Sequence, residues 1–258
     1  MSARKDWTRF DRLIALGLYC ELPFGKFYQR QPRIIEVAQK LGRTPSSLAM
    51  KLSNFASLDP VITGSGRKGL EGASIADREL WQEFMQQSSK VMEEVLQALE
   101  SLGEGEELTE GELLENLLPA NYHGESIATM TMRRKGQNLF RKAVLSAYDY
   151  QCCITGVTDT RLLVASHIKP WAADEQNRLN PHNGLCLSTF YDRAFDVGLI
   201  TFSVDYRLMI SPELERQRSN NHIRETFLER AGTTIKLPDK FSPLPEFMHW
   251  HRESLFIQ

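Results

Sequence analysis

Residues 161–202 read RLLVASHIKPWAADEQNRLNPHNGLCLSTFYDRAFDVGLITF. Four polar residues are spaced through an otherwise apolar frame. His167 closes the apolar run from Leu162 to Ala165, Asn183 begins an Asn-Gly turn after a polar loop, and Asp192 and Asp196 stand four apart on a short helix. The expected order is strand, loop, strand, helix. Neutral imidazole can take a proton near pH 7, and carboxylates at i and i+4 share one helix face where an oxygen-preferring cation can sit. Alone, each element has an ordinary reading: a structural histidine, a simple turn, a solvated helix face.

The order, spacing and flanks together resemble the HNH, or ββα-metal, endonuclease family in its bacterial restriction-type form. Gln137-xx-Phe140-Arg141, Tyr148 and Cys152-Cys153-Ile154-Thr155-Gly156 look like the run-in to that domain. Phe195 to Phe202 and Trp250-His251-Arg252-Glu253 look like its run-out. The resemblance covers roughly the last half of the chain. It implies His167 as general base, Asn183 as the residue that holds the His167 segment, and Asp192 at the last motif position, nine residues after the asparagine. That position is usually His or Asn, so Asp192 departs from the pattern, as does Ser166 where many relatives carry an acidic ligand. Asp192 with Asp196 is the implied metal pair, and carboxylates suit Mg²⁺ or Mn²⁺, with Ni²⁺ as a further candidate. Products with 5′ phosphate ends are also implied.

The chain's formal net charge of −2 hides a division. Residues 1 to 70 carry 12 Lys+Arg against 5 Asp+Glu, residues 71 to 126 carry 2 against 14, and residues 127 to 258 carry 17 against 14. On this reading the two ends can approach DNA and the middle is repelled by it. The basic segment reads as a helical domain. Trp7-Thr8 opens a first apolar-periodic run, a second covers Ile34 to Leu41 and ends at Gly42, and Thr44-Pro45 caps a third. The last two look like a helix-turn-helix, with Arg43, Ser46, Ser47, Lys51 and Asn54 as DNA contacts. Arg133, Arg134, Lys135, Gln137, Arg141, Lys169 and Arg178 are the phosphate-contact candidates of the second half.

Residues 61–74 are rich in Gly and Ser and read as a flexible connection. From 76 to 102 the spacing predicts one long amphipathic helix with a stripe of Trp81, Phe84, Ser88, Val91, Val95, Ala98 and Leu102. That stripe must be covered, and a second copy of the chain is preferred over an intramolecular partner. The acidic run from Gly103 to Glu115 is either a solvated spacer or a DNA mimic.

With 41% hydrophobic and 25% charged residues, the composition is that of an ordinary globular chain. The N-terminus lacks a signal-peptide core and no stretch is long enough to span a membrane, so a cytoplasmic location is expected. Four scattered cysteines give neither a disulfide framework nor a zinc knuckle. The expected architecture is α+β: a helical DNA-binding domain at 1–60, a linker with the long helix and acidic segment at 61–118, and the nuclease domain at 119–258. The expected function is a metal-dependent endonuclease of double-stranded DNA in restriction or defence, acting as a homodimer. A DNA-binding regulator with an inactive HNH domain, or a homing, phage or repair nuclease, is the alternative.

Overall fold

The computed structural model describes residues 6–64, 66, 72–104 and 127–258. Most of the acidic run, His123 and much of the Gly/Ser connection lie outside the described residues. The fold is α+β, with helices in the first half and two small antiparallel sheets in the second.

The local signals at the first helices act as read. Helix α1 (Arg9–Glu21) starts at Thr8, whose hydroxyl accepts from Asp11 N while the Asp11 carboxylate accepts from Thr8 N. Helix α2 (Pro32–Leu41) stops at Gly42, which takes the left-handed conformation at φ 62°. Helix α3 (Pro45–Ala56) has Thr44 as its N-cap and Pro45 in its first turn. Helix α4 (Pro60–Gly64) is a single short turn.

The expected long helix is broken. It is two helices, α5 (Ile75–Gln86) and α6 (Ser88–Ser101), because Gln87 leaves the helical region at φ −137° and ψ 51° and the Ser88 hydroxyl turns back to the Phe84 carbonyl. Its stripe is also spent inside the chain. Val91, Met92, Val95 and Ala98 are buried, and Val95 packs so closely on α1 that a Cβ at Gly17 would lie 2.7 Å from Val95 Cγ1. The expected dimer seam is therefore intramolecular core.

The charge division has the same explanation. Arg9 pairs with Glu83 and Glu94, Arg12 and Lys51 with Asp77, and Arg33 and Lys40 with Glu104. Helices α5 and α6 and the Glu104 that follows them fold back on the basic helices, so much of the described N-terminal positive charge is paired within the fold.

Helix α7 (Ile127–Ala147) joins this helical body to the sheet. Strands β1 (Leu163–His167) and β2 (Gly184–Ser188) pair antiparallel with His167 opposite Gly184, and helix α8 (Thr189–Asp196) follows directly. Strands β3 (Ile200–Phe202) and β4 (Leu208–Ile210) form a hairpin, turned at Tyr206 with φ 55°. Short helices α9 (Pro212–Glu215) and α10 (Asn221–Thr226) precede the last, α11 (Pro245–Ser254). All four cysteines are buried and free. The thiols of Cys20 and Cys186 are pushed up to about 12, chiefly by burial.

The end of α1 is clamped from the far end of the chain. Lys240 is fully buried and donates to the carbonyls of Tyr19, Cys20 (2.9 Å) and Leu22 (2.8 Å). An ammonium has three donors, and here each finds a carbonyl of the last helical turn or of its C-cap, Leu22. Burial still pushes its pKa down to about 7. Next to it the buried Asp59 carboxylate accepts from Tyr19 OH and from Phe241 N, both at 3.1 Å. Lys240→Met is expected to lower the unfolding free energy by about 3 kcal/mol, since it orphans the buried carbonyls of Tyr19 and Leu22 at roughly 1–3 kcal/mol each, while the Cys20 carbonyl keeps the Ser146 hydroxyl. Urea denaturation checks this; a loss below about 1 kcal/mol would mean that the clamp is dispensable.

Candidate active site

His167 ends β1 with its ring held on three sides. It stacks on Phe140 of α7 (centroids 4.0 Å apart, planes 8° apart), and Trp171 stands edge-on at 5.7 Å. Its Nε2 lies 2.9 Å from the Arg178 carbonyl oxygen. A carbonyl can only accept, so Nε2 carries the hydrogen and Nδ1 keeps the lone pair when the ring is neutral. Burial lowers the His167 pKa from its ordinary 6.5, outweighing the opposite pull of the Arg178 carbonyl. The ring is thus neutral at pH 7, with one nitrogen committed to holding and one able to accept a proton.

Asn183 is fully buried and fixes the backbone that follows His167. Its Oδ1 accepts from Lys169 N at 2.8 Å, while Nδ2 donates to Lys169 O at 3.0 Å and to Asn177 O at 3.3 Å. Two ends of the loop between β1 and β2 are tied by one amide. The Asn-Gly pair does not make the expected turn. Gly184 is extended at φ −130° and opens β2. Glycine is required there by space: a Cβ would lie 2.3 Å from Val144 Cγ2 and 3.0 Å from Phe140 Cζ. The missing side chain lets α7 come close enough for Phe140 to reach the His167 ring.

Asp192 and Asp196 lie one turn apart on α8. Asp192 is half-buried and its carboxyl is raised above the usual range by burial, with the Ser166 hydroxyl and Arg193 acting in the opposite direction. Asp196 is more exposed, yet burial and then the charge of Asp192 raise it to about 6. Ser166 is 2% exposed, and its Oγ makes no hydrogen bond of ordinary geometry. Two mutually repelling carboxylates suit a hard divalent cation, which relieves the repulsion and takes oxygen ligands. Among the described residues no group of three or more His, Cys, Asp or Glu could hold a metal. Mg²⁺ commonly needs only one or two protein carboxylates, its other ligands being water and substrate phosphate.

Residues 152–203, which contain β1, β2, α8 and β3, match the family model of the HNH endonucleases. The chain carries an HNH domain. The match spans a shorter stretch than the half of the chain expected from the flanking motifs. No curated protein matches the chain. An HNH domain implies nuclease activity in general, and divalent metal dependence is general among such nucleases. No helix among the described residues is long and apolar enough to cross a membrane.

The DNA-contact candidates divide sharply. Three from the helix-turn-helix face inward, a correction to the sequence reading. The Arg43 side chain is only 4% exposed, pairs with Asp11 and lies over the Trp7 ring; Lys51 is 5% exposed on Asp77; Asn54 donates to Gly72 O. Ser46 is exposed and Ser47 half-buried. Near the HNH domain, Lys135 pairs with Glu100, and Arg141 donates to the Leu163 and Thr160 carbonyls, anchoring α7 to β1. Lys169 pairs with Asp174. Arg133 and Arg178 both lie against Trp171, Arg178 also pairs with Glu175 at 2.7 Å, Arg134 is half-buried and Gln137 exposed. Sequence reasoning missed Trp171 and the Arg178 carbonyl, because neither a packing edge nor a backbone acceptor has a residue-type signature. Phe140 stood in the quoted run-in motif without an assigned role.

His251, in the C-terminal motif, is a packing residue. It is fully buried, stacks on Phe195 at 3.7 Å, and shares hydrogen bonds with Thr201 Oγ1 and Phe195 O.

Proposed function

We propose that the chain is a divalent-metal-dependent endonuclease of double-stranded DNA. The observation that carries this is the state of His167: a neutral, immobilised ring whose Nε2–H is committed to the Arg178 carbonyl, leaving Nδ1 as the acceptor. In the proposed reaction Nδ1 takes the proton from the water that attacks phosphorus. Asn183 positions the segment that carries this base through Lys169, and Phe140 sets the plane of the ring. Asp192 and Asp196 would hold Mg²⁺, Mn²⁺ or Ni²⁺, which when bound stabilises charge on the phosphate and on the departing 3′ oxygen. Phosphate contacts come from the face of α7 that carries Arg133, Arg134 and Gln137, with Ser46 and Ser47 available at the start of α3.

Restriction or defence against foreign DNA, in the cytoplasm, is the biological use proposed. One site cuts one strand, so a double-strand break takes two copies related by a two-fold axis. Their interface lies outside the α5–α6 stripe, since that surface is already buried.

The test is nicking of supercoiled plasmid in Mg²⁺, Mn²⁺ or Ni²⁺ with chelator controls. Relaxed circles that require the metal are expected, and intact plasmid under all three metals would refute the reading. Sequencing the ends made from modified and unmodified DNA then tests the defence role.

A further inference from the structure

A cleft of about 660 Å³ lies between Glu93 and Gln97 of α6, Met132 and Arg133 of α7, and Trp171 and Arg178 of the loop between β1 and β2. Its wall is shared with the candidate active site. The Trp171 ring stands edge-on to His167, and the guanidinium carbons of Arg133 and Arg178 are each 5.5 Å from the indole centroid. Arg178 also donates to the Trp171 carbonyl at 3.0 Å, while its own carbonyl holds His167 Nε2–H. Whatever fills the cleft touches the residues that orient the base.

The volume is in the range of sites for one small organic molecule and far too small for a duplex. An indole flanked by two guanidiniums suits a flat base bearing a phosphate, because bases stack on aromatic and guanidinium planes and arginine binds phosphate. Of the acidic members of the lining, Glu175 is paired with Arg178 at 2.7 Å, so the guanidinium left to meet the phosphate is that of Arg133, while Glu93 repels a run of phosphates but can accept from the exocyclic amine of a base. Within a DNA substrate, an unpaired nucleotide offers one accessible base with one phosphate. We propose that this cleft binds a single unpaired nucleotide of the strand being cut, next to the scissile phosphate. This rests on the nuclease reading above.

Two measurements test it. Tryptophan emission of the full chain is titrated with deoxycytidine monophosphate and, separately, with inorganic phosphate. Saturable quenching by the nucleotide alone is expected, absent in Trp171→Phe and weakened at least tenfold by Gln97→Phe, a substitution at an exposed helical position that fills the cleft. No quenching, equal quenching by phosphate, or binding indifferent to Gln97→Phe and to a second block, Glu93→Phe, would overturn the proposal. In cleavage, a duplex with one unpaired nucleotide beside the cut should be preferred over fully paired DNA by about tenfold or more, since the unstacking step is already done. The preference should fall toward unity in Gln97→Phe, and equal rates in the wild type would also overturn it. If neither DNA is cut, the nuclease reading fails and the nucleotide titration alone decides the cleft.

Discussion

His167→Ala is expected to slow DNA cleavage by about 10² to 10⁴, the range contributed by a positioned general base, while binding of DNA changes little. The substitution removes the only ring nitrogen that the Arg178 carbonyl leaves free to accept a proton, and it opens a gap against Phe140. His167→Gln separates the two losses, because it fills more of the gap but cannot act as a base. Both variants should be slow by similar factors. The pH profile gives a second reading of the same residue. Only the neutral ring is active, and burial lowers its pKa, so the acid limb of kcat/KM should lie below pH 6.5. An alanine variant within a few-fold of wild type, or an acid limb above pH 7, would remove His167 from the mechanism.

Asp192→Ala is expected to give no detectable nicking at any metal concentration. It removes the half-buried carboxylate that faces Ser166 and leaves only the more exposed Asp196. The loss should exceed the roughly 10- to 100-fold typical of losing an outer-shell partner, because the residue is assigned to the ligand position itself. Asp192→Asn and Asp192→His should keep partial activity with a changed preference among Mg²⁺, Mn²⁺ and Ni²⁺, the imidazole of Asp192→His favouring Ni²⁺, following ligand hardness. Asp196→Ala should be the milder lesion. Nicking rates against metal concentration, with calorimetric metal titration of the DNA-free protein, measure both effects. Normal cutting by Asp192→Ala in Mg²⁺ would move the cation elsewhere.

The elements that could be read from the sequence are those fixed by local chemistry. Thr8 with Asp11, Gly42, and Thr44-Pro45 mark helix ends because capping involves residues only a few positions apart. The strand, strand, helix order from Leu163 to Asp196 follows from alternation, loop polarity and the i, i+4 carboxylates. These bring His167, Asn183 and Asp192 into one small unit whatever surrounds it, which is why the candidate site was legible there.

Tertiary structure decided what those residues meet. The stripe of α5 and α6 has the same periodicity whether it faces a second copy or α1, and only the close approach at Gly17 settles that it faces α1. The basic first segment and the acidic middle carry the same charges whether they meet DNA or each other, and the pairs on Asp77 and Glu104 show that they meet each other. Gly184 illustrates the limit most plainly: Asn-Gly predicts a turn from backbone freedom, whereas here the glycine serves by having no side chain where Val144 and Phe140 pass. Periodicity and charge are properties of one segment, but a contact is a property of two, and the second is chosen only when the whole chain packs.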